Sequence, residues 1–392
     1  MTFTNSDVRD DPASPLPAEA LRRVLAPEGE ATSLPGEAYT SEAVFAWERE
    51  HFFERGWVCA GRAGELAQPG DQAAVAVGGE AVLLVRGDDG ELGGFFDVCR
   101  HRGHELLERG ARASRPAIVC PYHAWSYRLD GRLRAAPRFG DLPADHPVRE
   151  GLLPVRVATW NGWVFVDVAG EAPDLAAWLA DMDDLLAPYG LADLAAGASH
   201  DYEVAANWKL IVENYHECYH CPNIHPELCR VTPPDSGDNF PFAGSGPWVG
   251  GSMTLRPHAE TMSLDGRSGG PPLPGLPEAC RRQVLYLGLF PNLLLSLHPD
   301  YVMTHRIEPL APGRSHIECQ WLFPAASITA DDFDPSWAVD FWDLTNRQDW
   351  RACESVQRGT ASRSYRQGPL GQGEGAVRDF LGIVARAYLG LR

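Results

Sequence analysis

The chain has 392 residues and a formal net charge of −19, with 34 Lys and Arg against 53 Asp and Glu. Such an acidic balance argues against a protein that binds nucleic acid. No run reaches the roughly 18 apolar residues of a membrane span. The acidic segment Met1–Leu25 carries no secretory signal, so we expect a cytoplasmic protein without a membrane partner. Its nine cysteines are then expected to be reduced.

The first part of the chain predicts an arm followed by a helix. Residues 1 to about 40 are rich in Pro and Ala and carry few structural signals. Ser41 or Thr40 can cap a helix that ends near Gly56. We therefore expect residues 1–44 to form an N-terminal arm and the start of a helix, packed on a domain that follows later in the chain.

Strand-like segments dominate the next part of the chain, up to residue 168. They lie at residues 73–77, 82–85, 95–98, 155–160 and 163–168. The last two flank Asn161-Gly162, which is a strong signal for a type I′ hairpin turn. Residues 45–168 are therefore predicted to form a small all-β domain.

Two short strings inside this β-region contain metal-ligating residue types. They are Cys99-Arg-His101 and Cys120-Pro-Tyr-His123. Two thiolates and two imidazoles can hold a tetrahedral zinc, or a [2Fe–2S] cluster with Cys on one iron and His on the other. Zinc motifs usually pair like ligands within one loop, whereas each loop here supplies one Cys and one His, which favours the cluster. His104 also lies close enough by spacing to be a ligand.

The composition changes to mixed helices and strands after residue 168. Apolar residues over 175–186 recur with the period of one amphipathic helix. Segments between Tyr286 and Phe323 alternate as in an antiparallel sheet, and two helices are predicted near 335–358 and 375–389. The predicted fold class is α+β, with the small all-β domain followed by a larger domain, 169–392, in which helices cover an antiparallel sheet.

A second set of metal-ligating residue types lies near the middle of the chain. On an ideal helix Glu213, Glu217 and His220 share one face, whereas His225 points elsewhere unless Pro222 distorts the helix. Two His and a carboxylate around one iron leave positions open for oxygen and substrate. The residues alone equally allow these histidines to be polar residues of a helix surface.

A carboxylate ligand for such an iron would come from far along the chain. The late helix offers Asp340, Asp343 and Asp349, and the residue pattern does not choose among them. Cys218 and Cys221 form a C-x2-C pair, which is found in zinc and redox sites. A buried free Cys commonly behaves as a small apolar residue, and we expect that role for this pair.

The Cys-His strings, continued by Ala124-Trp-Ser-Tyr127, resemble the Rieske domain. The string Glu213-Asn-Tyr-His-Glu-Cys-Tyr-His220 with His225 resembles the mononuclear iron motif of Rieske non-haem iron oxygenase α subunits. The segment Asn346–Gly359 is similar to the late motif of that family. The resemblance extends from about residue 34 to the C-terminus, with the motifs in the family's order.

The resemblance implies a role for each matching residue. It implies the cluster ligands Cys99, His101, Cys120 and His123, with no metal on His104. It implies the mononuclear iron ligands His220, His225 and Asp349. Glu217 matches an acid that links a cluster His of one subunit to an iron His of the next within a ring-shaped trimer. Many members have Asp at that position, and Glu is one methylene longer.

The function implied is that of an oxygenase component with a [2Fe–2S] Rieske cluster, a mononuclear Fe(II) and O2 as co-substrate. No G-x-G-x-x-G string follows a predicted strand, so NAD(P)H should be oxidised by a separate flavin and iron–sulfur reductase, directly or through a ferredoxin. The expected partners are this donor, a small-molecule substrate and two further copies of the chain.

Two substrate classes remain open at this point. The form of the His motif and the single-chain length are similar to family members that oxidise N-methyl or quaternary ammonium compounds. The alternative is an aromatic ring-hydroxylating dioxygenase acting on an arene or an aromatic acid. A pocket is expected from Tyr215, residues 240–248 and residues 286–301, and a carboxylated aromatic would use one of the nearby basic residues Arg230, Arg256, His258 and Arg306.

Two further hypotheses assign the chain to other classes of protein. A non-catalytic Rieske electron carrier would need little beyond the predicted all-β domain and the chain before it, and the long second domain argues against it. A binding protein with a structural zinc site would be colourless and would bind no oxygen.

Overall fold

The computed structural model describes residues 14–141, 143, 145–179, 181–242 and 246–391 of the chain. These residues form two compact units, one consisting of Glu48–Leu175 and the other of the described residues on either side of it. No helix among them combines the length and the apolar character that crossing a membrane requires. The start of the predicted arm, residues 1–13, lies outside the described part of the chain.

The unit Glu48–Leu175 is built from β-strands. They are β1 (Val58–Arg62), β2 (Asp71–Val77), β3 (Glu80–Arg86), β4 (Leu92–Phe96), β5 (Arg112–Ser114), β6 (Ile118–Val119), β7 (Ser126–Tyr127), β8 (Leu133–Ala135), β9 (Pro154–Trp160) and β10 (Trp163–Asp167). Among the described residues, seven strands pair in the order β1-β10-β9-β4-β3-β2-β5, and β6, β7 and β8 form a separate sheet. The predicted hairpin joins β9 to β10, with φ of 48° at Asn161 and 83° at Gly162.

The described residues before Glu48 and after Leu175 form the second unit, and those before Glu48 form short helices. These are α1 (Ala18–Val24), α2 (Glu37–Thr40) and α3 (Glu42–Glu48); the π-helical turn that follows, Arg49–Glu54, already belongs to the unit Glu48–Leu175. The Ser41 hydroxyl accepts a hydrogen bond from the N–H of Val44 at 3.4 Å, as the predicted cap requires. The Tyr39 hydroxyl donates to Glu213 at 2.9 Å, and the Tyr39 carbonyl accepts from Gln357 at 3.0 Å. These bonds fix the segment to two later parts of the same unit.

The second unit packs helices on an antiparallel sheet, and its strands run in the order β11-β17-β16-β15-β14-β13-β12 within the described part of the chain. The strands are β11 (Leu194–Val204), β12 (Asp238–Asn239), β13 (Trp248–Thr254), β14 (Gln283–Leu289), β15 (Leu293–Leu297), β16 (Val302–Ala311) and β17 (Arg314–Pro324). The helices are α4 (Leu175–Leu179), α5 (Met182–Leu186), α6 (Trp208–Tyr215), α7 (Cys221–Ile224), α8 (Pro226–Val231), α9 (Ala325–Ile328), α10 (Ser336–Thr360) and α11 (Gly375–Tyr388). The predicted α+β fold class is confirmed.

The prediction of one helix over 175–186 is wrong. Helix α4 ends at Leu179 and α5 begins at Met182, after Asp181 with φ −83° and ψ 3°, which is not helical. Asp181 begins an Asp-rich stretch, and Asp side chains favour non-helical backbone because they compete for its hydrogen bonds. Leu179, Met182 and Leu186 are still at most 1% exposed. The break therefore preserves the burial that the apolar pattern predicted.

Asn207 sets the start of α6 and links it to the strand layer. Its side-chain oxygen accepts from the N–H of Lys209 at 3.0 Å, and its side-chain amide donates to the carbonyl of Pro312 at 2.7 Å. Asn207 is 1% exposed, so water cannot replace either partner.

We expect Asn207→Ala to lower the free energy of unfolding by about 2 kcal/mol, because it removes a helix cap and leaves a buried carbonyl without its donor. Asn207→Ser keeps an acceptor for the cap and should lose about half as much. Urea unfolding followed by tryptophan fluorescence measures both. Equal midpoints for the wild type and the alanine variant would contradict this role of Asn207.

Candidate functional site

Cys99 and Cys120 lie in two loops of the unit Glu48–Leu175, which we call the β-unit. The backbones of the two loops have the same shape. In each loop the cysteine N–H donates to the carbonyl five residues later, and the cysteine carbonyl accepts from the N–H four residues later, at 2.8–3.1 Å. The residue four positions after each cysteine has a positive φ, 72° at Gly103 and 58° at Ala124. Two matching tight turns therefore each present one Cys and one His.

The sulfur atoms of these loops are buried, whereas the imidazoles lie nearer the surface. Cys99 and Cys120 are each 2% exposed. Burial raises the pKa of the Cys120 thiol, and the adjacent Cys99 thiol raises it further. The His101 and His123 ring centroids are 4.7 Å apart. His104 is exposed, and its ring nitrogen contacts a backbone carbonyl of its own loop.

Aromatic side chains support both kinds of residue in these loops. The His101 ring stacks on Trp125, with centroids 4.8 Å apart and planes within 5°. The Tyr127 hydroxyl lies 3.3 Å from the Cys99 sulfur and accepts a hydrogen bond from the N–H of Arg100 at 3.0 Å. The loops are thus held in a shape that offers two sulfurs and two imidazoles, the donor set of a Rieske cluster.

Helix α6, which leads to Glu217, His220 and His225, is shorter than predicted. Helix α6 ends at Tyr215, and the chain turns before α7, with His220 at the start of α7 and His225 between α7 and α8. The prediction that Glu213 shares a helix face with His220 is therefore wrong. The Glu213 carboxylate accepts the tyrosine hydrogen bond described above, and burial raises its pKa to about 7. Pro222 lies in the first turn of α7, where its missing N–H costs nothing.

This turn brings His220 and His225 together with a carboxylate from α10. The two Nε2 atoms are 3.2 Å apart, and Asp349 Oδ1 lies 2.8 Å from that of His225 and 3.3 Å from that of His220. The ligand atoms all lie within 4.8 Å of one another. Asp343 instead accepts hydrogen bonds from Tyr202 and Arg347, and Asp340 is exposed.

Each imidazole is also held from behind by a second acceptor. Glu217 Oε1 lies 2.5 Å from His220 Nδ1, and Gln348 Oε1 lies 2.7 Å from His225 Nδ1. These contacts orient both rings so that their Nε2 atoms face Asp349. The sequence analysis missed Gln348, although its position directly before Asp349 was an available signal.

The charges at this point favour a bound cation. Burial acts to raise the pKa of Asp349, but hydrogen bonds from His220 and His225 outweigh it and the pKa is lowered. Burial acts to lower the pKa of His220, but hydrogen bonds to Asp349 and Glu217 outweigh it and raise that pKa to about 9. Two imidazoles and one carboxylate on one side of a metal suit ferrous iron with open positions.

The pair Cys218 and Cys221 does not behave as predicted. The two residues are joined by a disulfide, with Cα atoms 4.9 Å apart, so the expectation of free thiols that act as small apolar side chains is wrong for this pair. Cysteines three positions apart lie close enough for a disulfide in a turn or in a helix, so their spacing alone allowed this bridge. The bridge encloses Tyr219 and His220.

Aromatic rings form a continuous group that begins at Trp350, the residue after Asp349. Neighbouring ring centroids are 5.4–6.3 Å apart along the series Trp350, His305, Tyr215, Tyr286, Trp342 and His298. We refer to these six residues as the aromatic group. Burial lowers the pKa of His305 to about 4 and that of His298 to about 3, so both rings are neutral near pH 7.

The basic residues predicted near a pocket are engaged or exposed. Arg306 pairs with Glu318 at 2.8 Å, and Arg256 donates to a backbone carbonyl. Arg230 and His258 are exposed. Residues 243–245 of the predicted pocket segment 240–248 lie outside the described residues. These four side chains therefore offer no buried, unpaired cation that would bind a carboxylated aromatic.

Known proteins resemble the chain over nearly its whole length. The family model for the ring hydroxylating alpha subunit (catalytic domain) matches residues 191–390, and the model for the Rieske [2Fe-2S] domain matches residues 56–147. The glycine betaine monooxygenase oxygenase subunit of Chromohalobacter salexigens is 33% identical over 380 residues, which cover 89% of this chain and 84% of the relative. The carnitine monooxygenase oxygenase subunit of Escherichia coli is 30% identical over 370 residues, covering 92% and 94%.

A solved structure supports the same relationship. It is a quaternary ammonium Rieske monooxygenase, described as giving insight into carnitine oxidation by gut microbiota and into inter-subunit electron transfer. It matches with a TM-score of 0.79 and 26% identity over 96% of this chain and 100% of that chain. The family carries a Rieske [2Fe–2S] cluster and a mononuclear iron, and the Cys-His loops and the His220–His225–Asp349 set fit these groups. The chain therefore belongs to the α subunits of the Rieske non-haem iron oxygenases, as its sequence motifs predicted.

Proposed function

We propose that the chain is the oxygenase component of a monooxygenase that oxidises an N-methyl group of a small quaternary ammonium compound. When bound, the cluster supplies single electrons and the ferrous ion activates O2. Hydroxylation of the methyl group would let it leave as formaldehyde. The convergence of His220, His225 and Asp349 beside an uncharged aromatic group is the observation that carries this proposal.

Within this proposal each donor residue has one task. Cys99 and Cys120 would hold one iron of the cluster, and the imidazoles of His101 and His123 would hold the other. The buried sulfurs and the more exposed imidazoles match these two ends. His220, His225 and Asp349 would hold the ferrous ion. The Nδ1 atoms of these two histidines contact Glu217 and Gln348, and these contacts aim both Nε2 atoms at one point.

The aromatic group supports a cationic substrate. Ring faces attract a quaternary ammonium through their quadrupoles, and the cation needs no hydrogen-bond partner. The two histidines of the group are neutral, so they do not repel positive charge. The Tyr286 hydroxyl and the Trp350 N–H have no hydrogen-bond partner among the described residues, which leaves two donors for a carboxylate or hydroxyl on the substrate.

We further propose that Glu217 carries electron transfer between subunits of a homotrimer. Its Oε1 contacts His220 Nδ1, and its Oε2 accepts hydrogen bonds from the N–H groups of Tyr219 and His220. Tyr219 is 80% exposed, so this turn lies at the surface of its unit. Glu217 could therefore also accept a hydrogen bond from His101 or His123 of the partner subunit. Electrons would come from NAD(P)H through a separate flavin and iron–sulfur reductase or a ferredoxin.

Metal content tests the two ligand sets. The wild type should contain about three iron atoms per chain, Asp349→Ala about two, and Cys99→Ser about one. Asp343→Ala is the matched control, because it removes a carboxylate from the same helix and should keep all three. Iron and acid-labile sulfide are measured after anaerobic purification. Three irons in Asp349→Ala would contradict the assignment of that ligand.

Removal of the Glu217 carboxylate tests the bridge. Glu217→Ala should keep both metals but lower turnover at least about 100-fold, since a group that orients a ligand and links it to its donor is lost. Reductase-coupled substrate oxidation and iron content are measured together. Glu203→Ala removes an exposed acid of the same unit and should leave both unchanged. Wild-type turnover in Glu217→Ala would reject the bridging role.

A substrate panel tests the reaction class. Glycine betaine, carnitine or choline should stimulate NADH oxidation with one formaldehyde per NADH. Their carbon isosteres, such as 3,3-dimethylbutanoate for glycine betaine, should bind at least about 10-fold more weakly because the cation is gone. Tyr286→Leu should raise KM for the ammonium substrate more than Tyr286→Phe does, because both variants lose the hydroxyl donor but only the leucine variant also loses the aromatic ring. Coupled oxidation of an arene without formaldehyde would favour the aromatic dioxygenase instead.

A further inference from the structure

Positive charge is concentrated in one part of this acidic chain. Residues 100–138 contain nine Arg and three acidic residues, a net charge of +6, although the whole chain carries −19. This segment begins directly after Cys99, and it includes the rest of both Cys-His loops and the small sheet of β6, β7 and β8. The β-unit therefore presents a basic region around the cluster-binding loops, which the proposed chemistry at the cluster does not itself require.

Three of these arginines belong to the hairpin of β7 and β8. We call residues 126–135, with Arg128, Arg132 and Arg134, the arginine hairpin. The N–H of Arg128 donates to the carbonyl of Arg132 at 2.9 Å, so the two residues face each other across the turn. All three side chains are exposed. Arg132 lies 3.8 Å from Asp130, whereas Arg128 and Arg134 have no ion pair with a described acidic residue.

The arginine hairpin contacts the cluster-binding loops from the sulfur side. Tyr127, directly before Arg128, is fully buried, and its hydroxyl lies 3.3 Å from the Cys99 sulfur. A single residue therefore connects the charged surface to a sulfur that would hold iron. The imidazole end is different, because two exposed aromatic residues lie against it: Tyr122 contacts His123 and Phe139 contacts His101.

We propose that the arginine hairpin is the docking surface for an acidic electron-transfer protein, and that electrons enter the cluster at its sulfur end through Tyr127. This rests on the proposed function, in which a separate donor reduces the cluster. One electron leaves the reduced donor and one ferric ion of the cluster becomes ferrous, so the step balances without a further reactant. The electron then leaves from the imidazole end toward the iron of the neighbouring subunit.

The side chains exposed at the sulfur end and at the imidazole end of the cluster-binding loops differ. This difference favours a transient partner, rather than a second copy of the chain, at the arginine hairpin. Lasting interfaces between subunits have apolar centres, whereas short-lived electron-transfer complexes rely on complementary charge for fast encounter. The imidazole end exposes Tyr122 and Phe139, at 52% and 47%. Among the described residues of the arginine hairpin, no large apolar side chain is exposed.

Charge reversal on the holoenzyme tests this surface. The variant carries Arg128→Glu, Arg132→Glu and Arg134→Glu, and the matched control carries Arg22→Glu, Arg314→Glu and Arg363→Glu, three exposed arginines of the other unit. The probe is a plant-type acidic [2Fe–2S] ferredoxin. We measure its Kd by titration calorimetry and the second-order rate constant of cluster reduction by stopped-flow absorbance.

The hairpin variant should lose at least about 10-fold in both quantities at low ionic strength, with the difference shrinking as salt is added. The control should match the wild type. Reduction by dithionite should be unchanged in all three proteins, which separates docking from damage to the cluster.

Two outcomes would overturn the inference. One is an unchanged Kd and rate constant in the hairpin variant. The other is dissociation of the assembly in that variant, seen by light scattering, which would assign the surface to contacts between copies. Failure of chemically reduced wild type to oxidise any ammonium substrate would count against the proposed function alone, because the Kd and the reduction rate do not depend on substrate.

Discussion

The contact of Asp349 with His220 and His225 is the constraint on which the second unit depends. The carboxylate comes from α10, 124 positions after His225 in the sequence. It lies at the right point only because α6 ends at Tyr215 and the following turn carries both imidazoles to α10. The bonds from Asn207 and Tyr39 fix the start of α6 and the nearby N-terminal helices, so they help to position the proposed iron ligands from a distance.

In the β-unit, Glu48–Leu175, the corresponding residues are presented mainly by local structure. Two tight turns of equal shape, each closed through a residue of positive φ, present a Cys and a His, and Trp125 and Tyr127 support the first of them. This difference explains why spacing alone predicted all four loop residues as ligands, whereas only the family resemblance, and not the residue pattern, selected Asp349 over Asp340 and Asp343. Spacing along the chain determines a local turn, whereas a contact between distant parts of the sequence depends on how helices pack.

The errors of the sequence analysis have the same origin. Hydrophobic and β-alternating patterns predicted the element order, the hairpin at Asn161 and the antiparallel sheet, because burial dictates those patterns. An ideal helix placed Glu213 beside His220, yet the chain turns after Tyr215 to bring His225 round. That turn also carries Cys218 and Cys221, which form a disulfide instead of the free thiols that the sequence analysis expected. The helix therefore ends near the candidate site, at a point where the local residue pattern predicted that it would continue.

The two imidazoles of the proposed iron site are not equivalent, and their difference agrees with the electron path proposed above. His225 is 1% exposed and is backed by the neutral amide of Gln348, so it is enclosed by the unit. The His220 side chain is 17% exposed and is backed by the carboxylate of Glu217, in a turn whose Tyr219 points to solvent. A carboxylate that accepts the hydrogen bond of an imidazole makes that imidazole a stronger metal ligand than a neutral amide does. The carboxylate that raises the basicity of His220 therefore lies in the turn that reaches the surface, where the proposed transfer between subunits would deliver an electron.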